Sequence, residues 1–232
     1  MINTIVQNST YFGVVVSLLG YYIGTILKQK FKLGIFNPLL VAIVLTIAFL
    51  LMCKIPYTDF SATAKYLSWF LTPATVALAI PLYQEIERLK KNIKAILVSI
   101  FAGTLTSLAC IFAMCLIFGF NHSQYVTFLP KSITTAIGMS ISEELGGIVP
   151  ITVAAIVVTG IFGNMVGEAV LKMFKITDPV AKGLALGTSA HAIGTAKAME
   201  MGETEGAMSS LAIVVAGIIT VVGASVFATL IP

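Results

Sequence analysis

Charged residues are scarce in this chain: they make up 10% of its 232 residues, whereas 58% are hydrophobic and the mean hydropathy is +1.00. Soluble domains typically contain about 25% charged residues, so this composition excludes a soluble protein. Apolar runs recur along the whole length, and a membrane-spanning helix needs about 20 mostly apolar residues. We therefore predict an all-α polytopic membrane protein in which residues 1–232 form a single transmembrane domain.

Cysteine is also rare. The three cysteines, Cys53, Cys110 and Cys115, lie in or at the ends of apolar segments and lack the spacing of metal ligands. We expect them to be packing residues, with no metal and no cofactor in the protein. The N-terminus carries no basic residue before its apolar run, so it lacks the basic region of a cleavable signal peptide, and residue 1 is expected to belong to the mature chain.

Groups that would support catalysis are not assembled in the sequence. Ser189 and His191 are two residues apart, and no helix brings such positions face to face. The stretch GTSAHAIG, residues 187–194, lacks the lysine-serine ending of a phosphate-binding loop. The formal charge of +4 comes from cations clustered in short loops, which membrane topology explains without a nucleic acid. We expect neither an enzyme nor a nucleic-acid-binding protein.

The apolar runs predict about seven spanning helices, over residues 11–27, 38–53, 66–92, 96–118, 148–174, 183–197 and 208–231. Pro73 and Pro81 each remove a helical hydrogen bond, so the third helix is expected to be discontinuous. Residues 130–147 are rich in hydroxyls and carry Glu143 and Glu144. We predict a re-entrant segment there, or a helix lining the protein interior, that makes no net crossing.

The stretch GLALGTSAHAIGTAK, residues 183–197, is too small and too polar for an ordinary lipid-facing helix. Glycines and hydroxyls replace bulky apolar side chains, and His191 and Lys197 are ionisable. Polar groups at membrane depth are costly and usually face a substrate or ion path, while glycine allows a helix to unwind or to pack closely. We interpret this stretch as half of a binding site.

Residues 37–120 and 148–232 resemble two copies of one three-helix repeat. PLLVAIVLTIAF from Pro38 is similar to PITVAAIVVTGIF from Pro150, and TPATVALAI from Thr72 falls opposite LGTSAHAIG. Chance similarity between apolar helices is the alternative. Inverted repeats with paired discontinuous helices are the architecture of many secondary transporters, whose site lies where the two breaks meet near the membrane midplane.

Loop charges predict the orientation of the chain. Lys and Arg in short loops mark the cytoplasmic side, which places residues 28–32, 88–94 and 172–182 inside. The acidic loop around Glu203 is then expected outside. With seven spans, the N-terminus lies outside, the C-terminus lies inside, and the two repeats run in opposite directions.

Four motifs stand out: NPLL at 37–40, TPATVALAIPLY at 72–83, LPKSITTAI at 129–137 and GLALGTSAHAIGTAKAMEMGETEGA at 183–207. Together they resemble the LrgB/CidB family over nearly the whole chain. Thr72 stands where glycine is expected and Ala136 where proline commonly follows the threonine pair, which leaves the local break geometry open. The resemblance implies a bacterial cell-membrane protein, expected as a homo-oligomer such as a dimer.

The resemblance implies one of two functions. One is transport of small monocarboxylates, such as pyruvate, glycolate or glycerate. The other is an antiholin-like role that modulates murein hydrolase activity and cell lysis beside a small LrgA/CidA-type partner. The residues favour transport, because half-helix N-termini present free N–H groups and a partial positive charge suited to a carboxylate.

The predicted substrate-binding residues are Thr72, Pro73, Ala74, Thr75, Thr134, Thr135, Thr188, Ser189, His191, Gly194, Thr195 and Lys197. Thr75 and His191 are expected to lie close together at mid-depth, because their segments occupy matching positions in the two repeats. His191, Glu143 and Glu144 are the candidate proton carriers, since carrying an unpaired anion is costly and histidine changes charge near neutral pH.

Each of these candidates has a structural alternative. His191 can hydrogen-bond across helices, and Lys197 can pair with Glu200 or extend to the interface. Asn164 and Glu168 lie one turn apart and can simply join helices. A holin-like pore is the rival to a saturable carrier.

Overall fold

A computed structural model describes residues 9–31, 36–77 and 79–231. All regular secondary structure in these ranges is helical, which confirms the predicted all-α class. The chain divides into two compact units, Met1–Ala77 and Leu78–Pro232. Each unit is described by itself, and the single transmembrane domain stays a prediction.

The described part of the first unit contains α1 (Phe12–Phe31), α2 (Pro38–Met52), α3 (Tyr57–Ala64), a 3-10 helix (Lys65–Phe70) and α4 (Leu71–Ala77). Helix α2 begins where the sequence predicts. The Asn37 side chain accepts hydrogen bonds from the backbone N–H groups of Leu39 and Leu40 at 2.9 and 3.2 Å, and Pro38 occupies the first turn, where its missing N–H is not needed. The 3-10 segment followed by the short α4 confirms that the third predicted helix is discontinuous.

The described part of the second unit contains α5 (Ala79–Gln84), α6 (Ile86–Phe118), α7 (His122–Phe128), α8 (Thr135–Glu144), α9 (Val149–Met173), α10 (Pro179–Met201) and α11 (Glu203–Ala228). Gly119 ends α6 with a φ of 66°, the left-handed conformation that glycine adopts without strain. Asn121 and Gln124 form a capping box at the start of α7. Asp178 caps α10 by accepting a hydrogen bond from the Ala181 N–H at 2.9 Å.

Four described helices are long and apolar enough to cross a membrane: Phe12–Phe31, Lys90–Phe118 within α6, Val149–Met173 and Glu203–Ala228. The helix Pro38–Met52 is apolar but shorter. The count of seven spans is therefore not confirmed, and the two repeat copies stay a prediction.

Helices α6 and α11 run parallel within the second unit. Near their starts, the Thr204 hydroxyl donates a hydrogen bond to Oε1 of Glu85 at 3.2 Å. Further along, Leu108 of α6 packs so closely on Gly223 of α11 that a Cβ at that glycine would lie 2.7 Å from the leucine Cδ1. These two helices end the two proposed repeats and were expected to run in opposite directions, so that expectation is wrong for this pair.

The cause of this difference is α10, which does not cross the bundle but turns back on itself. Ala190 and His191 have non-helical backbone angles. A Cβ at Gly194 would lie 2.5 Å from the carbonyl oxygen of Leu186, whereas eight residues of continuous helix would separate these positions by about 12 Å. Another hairpin, residues 122–144, precedes α10 in the chain and is described below as the first hairpin. We therefore call α10 the second hairpin, with an outgoing arm (179–189) and a returning arm (192–201).

Both ends of the second hairpin lie at the start of α11. On the outgoing arm, Lys182 Nζ lies 3.8 Å from Glu205 Oε1. On the returning arm, Met199 packs against Gly206. The length of α10 predicts one crossing, and the reversal at its centre removes that crossing.

Residues 122–144 form the first hairpin, from the start of α7 to the end of α8. The His122 Nε2 atom lies 3.3 Å from the carbonyl oxygen of Leu145, and the Ser123 hydroxyl donates to the carbonyl of Gly146 at 3.0 Å. Helix α7 therefore begins beside the point where α8 ends. The predicted segment 130–147 thus contains the tip and the second arm of a hairpin that begins at residue 122, and its re-entry into the membrane stays a prediction.

The two hairpins enter the bundle from opposite ends. His122 Nδ1 lies 2.7 Å from the backbone oxygen of Ile231, so the first hairpin enters where α6 and α11 end. The second hairpin enters where they begin. The sequence predicts that residues 88–94 and the C-terminus lie on one side, but they lie at opposite ends of the second unit. It also predicts that Glu203 lies on the other side from residues 88–94, but both lie at the same end. Both expectations are wrong because α10 does not cross the bundle.

Candidate functional site

The tip of the second hairpin is held in an unusual backbone conformation. His191 has φ 42° and ψ −139°, in a region that residues other than glycine seldom adopt. Its side chain is buried, and Nε2 lies 3.0 Å from the carbonyl oxygen of Ile156 in α9. Because a carbonyl only accepts, Nε2 is the protonated nitrogen. This contact matches the structural alternative for His191, and its role as a proton carrier stays a prediction.

Side-chain hydrogen bonds hold the returning arm in place. Thr195 is fully buried, and its hydroxyl donates to the carbonyl of His191 at 3.0 Å and lies 2.7 Å from the Ser209 hydroxyl of α11. From α9, the Asn164 amide donates to the carbonyl of Ile193 at 2.9 Å. The bonds from Asn164 and Ser209 tie the start of the returning arm to α9 and α11.

Lys197 is paired with carboxylates. Its Nζ lies 2.8 Å from Oε2 of Glu168 and 3.5 Å from Oε2 of Glu200. Glu168 also binds Lys172 at 2.8 Å. These contacts match the alternatives in which Lys197 pairs with Glu200 and Glu168 joins two helices, so the charge of Lys197 is neutralised within the second unit.

The tip of the first hairpin, residues 129–134, carries a lysine without a carboxylate partner. Lys131 Nζ donates to the Ser132 hydroxyl at 3.1 Å, and the Ser132 hydroxyl lies 3.1 Å from that of Ser107 in α6. Among the ion pairs of the described residues, none involves Lys131. Among the described contacts, the ammonium group is therefore held by the Ser132 hydroxyl.

A cavity of about 460 Å³ lies between the two hairpins and α6. We call it the central cavity. The first hairpin contributes Lys131 and Ser132, and the second contributes Thr188 and Ser189. The hydroxyl-bearing residues from α6 are Ser99, Thr106 and Ser107. Among the described residues that line the cavity, Lys131 is the one with a charged side chain. The positive charge makes the cavity suited to an anion.

A second cavity of about 440 Å³ lies against α9. It shares Lys131, Ala185 and Ser189 with the central cavity and adds Thr159 and Gly163 from α9. Lys131 and Ser189 therefore lie between the two spaces. This position brings the tip of the first hairpin next to the outgoing arm of the second.

The structure distributes the predicted residues of the second hairpin between two roles. Thr188 and Ser189 line the central cavity. The other four line neither of these two cavities and take part in the packing and bonding of the hairpin itself; they are His191, Gly194, Thr195 and Lys197.

The remaining predicted residues lie elsewhere. Thr134 and Thr135 are half-buried at the start of α8, close in sequence to the first tip. Glu143 and Glu144 are exposed in the last turn of α8, at the end of the bundle where the first hairpin enters. Their role as proton carriers stays a prediction.

The predicted residues of the first unit lie in α4. Thr72, Pro73 and Ala74 are exposed there, and the Thr75 side chain lies outside the described residues. Because they belong to the other unit, their expected proximity to His191 stays a prediction.

Sequence reasoning missed Lys131, Ser132 and Ser107 as site residues. The signal was present in LPKSITTAI, where a lysine and several hydroxyls fall inside a segment expected to re-enter the membrane. An ionisable group at that depth is a functional-site indicator. The residues predicted from this segment are instead Thr134, Thr135 and Glu143. No group of three or more His, Cys, Asp or Glu side chains that could hold a metal occurs among residues 9–31, 36–77 and 79–231.

Comparison with known proteins covers nearly the whole chain. The family model described as the LrgB-like family matches residues 17–230. The Antiholin-like protein LrgB of Bacillus subtilis (strain 168) is 43% identical over 224 residues, which are 96% of this chain and 97% of that protein. The Antiholin-like protein LrgB of Bacillus cereus (strain B4264) is 43% identical over 213 residues, which are 91% of this chain and 93% of that protein. No solved structure matches the chain.

Proposed function

The chain belongs to the LrgB-like family, and we propose that it is a carrier that moves small monocarboxylates across the bacterial cell membrane. The observation that supports this proposal is the central cavity, which is lined from both hairpins and from α6. Irregular backbone at membrane depth is tolerated where it lines a cavity or is buried in protein. Two broken segments that enter from opposite ends and meet at a cavity are the arrangement that secondary transporters use for their substrate site.

The lining of the cavity favours a small anion as the substrate. It offers hydroxyl groups from three elements and one ammonium group, and none of the described residues that line it carries a carboxylate. Ligand pockets typically measure about 300–1,000 Å³, so about 460 Å³ accommodates an acid of two to four carbons together with water. A small monocarboxylate satisfies both the charge and the volume.

Charges at the two ends of the second unit support an orientation. The cations of residues 88–94, 172–175 and 182 lie at the end where α6 and α11 begin, while residues 119–123, 145–148 and 229–231 contain no Lys or Arg. The positive-inside rule then assigns the first of these ends to the cytoplasm. In this proposal the second hairpin enters from the cytoplasm and the first from outside.

An antiholin-like function is the second candidate, and the names of the relatives favour it: both the Bacillus subtilis and the Bacillus cereus proteins are called antiholin-like. In this case the chain modulates cell lysis beside a small membrane partner. Saturable transport by the chain alone distinguishes the carrier from a regulator or a pore.

The decisive experiment uses vesicles that contain the full chain and no other protein. Uptake of labelled pyruvate, lactate and glycolate is measured with and without a pH gradient, beside an unrelated neutral solute of similar size. A carrier shows saturable uptake, and unlabelled acid inside the vesicles accelerates it by counterflow. Unsaturable leakage of acids and neutral solute alike contradicts the proposal and favours a pore, and no uptake above empty vesicles favours the antiholin-like function.

A further inference from the structure

We infer that the Lys131 ammonium group binds the carboxylate of the substrate, and that this single charge restricts the central cavity to monoanions. The inference rests on the proposed function, since it names the group that would hold the substrate of that carrier. Neither the sequence motifs nor the family comparison assigns a role to this lysine.

The first argument is the difference between Lys131 and the other partly buried lysines of the second unit. Lys182 lies 3.8 Å from Glu205, and Lys197 lies 2.8 Å from Glu168. Lys131 donates to the Ser132 hydroxyl alone at 3.1 Å among the described contacts. A cation inside a bundle is costly unless it is paired. An anionic ligand would supply the carboxylate partner that the described residues of the second unit do not.

The second argument is position. Lys131 lines both the central cavity and the cavity against α9, and Ser189 of the second hairpin lines both as well. A carboxylate held at this lysine therefore lies beside both hairpins. Such a ligand contacts both hairpins. In a carrier these two segments must separate or close so that the site opens to one side of the membrane and then to the other, and a transported substrate must bind differently to these two states.

The third argument concerns neighbouring donors. The Ser132 hydroxyl lies between Lys131 Nζ and the Ser107 hydroxyl, at 3.1 Å from each. A hydroxyl carries one proton and two lone pairs. Ser132 accepts from the ammonium group through one lone pair, and when Ser107 donates to the other lone pair, the Ser132 proton can point to the ligand, so the site provides a charged donor and a neutral donor side by side.

Charge counting then sets the specificity. The residues that line the central cavity include one cation and no anion. A monocarboxylate leaves the occupied site neutral, whereas a dicarboxylate of similar size has a second carboxylate without a cation to pair with. An unpaired charge in such a site is unfavourable, so we expect oxalate and malonate to bind more weakly than pyruvate and lactate.

The test compares Lys131→Gln and Lys131→Arg with Lys175→Gln in vesicles that contain the full chain. Lys175 is exposed in the loop after α9, so this control removes the same charge outside the cavity. We expect Lys131→Gln to raise the KM for pyruvate at least about tenfold, the loss typical of one charge-assisted hydrogen bond. Lys131→Arg keeps saturable uptake, and Lys175→Gln is unchanged. Malonate fails to compete with pyruvate in the parent protein.

Native Cys110 provides a second readout that does not require transport. It lines the central cavity with Lys131, and replacing Cys53 with serine and Cys115 with alanine leaves it as the one thiol. We expect Lys131→Gln to lower the ratio of the reaction rates of an anionic and a cationic methanethiosulfonate at least about threefold, because the nearby positive charge is gone. Pyruvate slows the reaction with Lys131 present and has no effect in the glutamine variant.

The outcomes separate this inference from the proposed function. A KM for Lys131→Gln within about twofold of the Lys175→Gln value, in a parent that transports pyruvate, overturns the role of Lys131 and leaves the carrier intact. If the parent does not transport, protection of Cys110 by pyruvate that depends on Lys131 supports the binding site, and its absence overturns it. If Lys131→Gln does not fold, Lys131→Met, which also removes the charge, takes its place in the Cys110 protection assay and decides in the same way.

Discussion

The hydroxyl groups of Thr195 and Ser209 lie 2.7 Å apart, and the Ser209 backbone also contacts Gly187, eight residues before that threonine. One residue of α11 thus touches both arms of the second hairpin. The hairpin is therefore fastened along its length to a helix long enough to span the membrane.

We expect Thr195→Val to destabilise the second unit. The substitution keeps the shape of the side chain but removes the donor to the His191 carbonyl and the partner of Ser209. The expected cost is about 1–3 kcal/mol, because the two buried partners lose a hydrogen bond. Thermal unfolding of the purified protein measures it. The control is Ser140→Ala, where an exposed hydroxyl bonds within its own helix and little change is expected; equal losses in both variants contradict the assignment.

Gly187→Ala should lower stability by about 1–3 kcal/mol, since the new methyl group meets the backbone oxygen of Ser209 and overpacks the contact between α10 and α11. Gly217→Ala is the matched control. Its methyl group meets the Cδ1 end of Ile137 at 3.1 Å, a flexible group that can move aside. Thermal unfolding of both variants tests the difference, and an unaffected Gly187→Ala would show that the two helices do not approach as closely as described.

The ion pair between Lys197 and Glu168 predicts a charge-swap rescue. We expect Glu168→Lys to destabilise the protein, because it places a third lysine beside Lys172 and Lys197. Adding Lys197→Glu restores an opposite pair and should recover part of the loss, since Lys172 and Glu200 then lie beside like charges. The double-mutant cycle isolates the pair interaction, expected at about 1–3 kcal/mol in this partly buried setting. Additive losses in the double variant would contradict it.

The two histidines allow a controlled test of proton coupling. His191→Gln keeps an N–H donor for the Ile156 carbonyl but removes the titratable ring. If His191 carries the proton, uptake by this variant loses its dependence on pH between about 5 and 8, the range in which histidine titrates. His122→Gln, where the ring contacts the backbone oxygens of Ile231 and Leu145 and lines neither cavity, should retain the dependence of the parent. An unchanged profile in His191→Gln assigns the proton elsewhere.

Cysteine labelling tests the relative arrangement of the hairpins. We expect single cysteines at Thr177 and at Glu203 to react with an impermeant thiol reagent from one side of the membrane, and a cysteine at Thr229 to react from the other. The positive-inside rule makes the first side cytoplasmic. Reaction of Thr177→Cys and Glu203→Cys from opposite sides would mean that α10 crosses the membrane after all.

Part of this architecture can be predicted from the sequence, because interactions between residues close in the chain determine it. Asn37 followed by Pro38 supplies a cap and a proline at the first turn, and the structure starts α2 there. The polar residues of 130–147 cannot face lipid, and residues 130–144 form part of the first hairpin. In both cases the deciding property belongs to residues that are adjacent in the chain.

The reversal of α10 cannot be predicted from neighbouring residues in this way. Its 23 residues match the length of one crossing, and length alone does not distinguish a span from two short arms. The reversal depends on the backbone angles of Ala190 and His191, which contacts with α9 and α11 stabilise. The role inferred for Lys131 has a similar origin, because the absence of a carboxylate near a side chain is a property of the folded unit and not of a motif.

The attachment of both hairpins to α11 also orders the events of biosynthesis. The returning arm needs Ser209 for its buried hydroxyl pair, and His122 of the first hairpin needs the backbone oxygen of Ile231. Translation delivers these partners after both hairpins. Neither hairpin can therefore complete its hydrogen bonds until α11 and the residues that follow it have been synthesised.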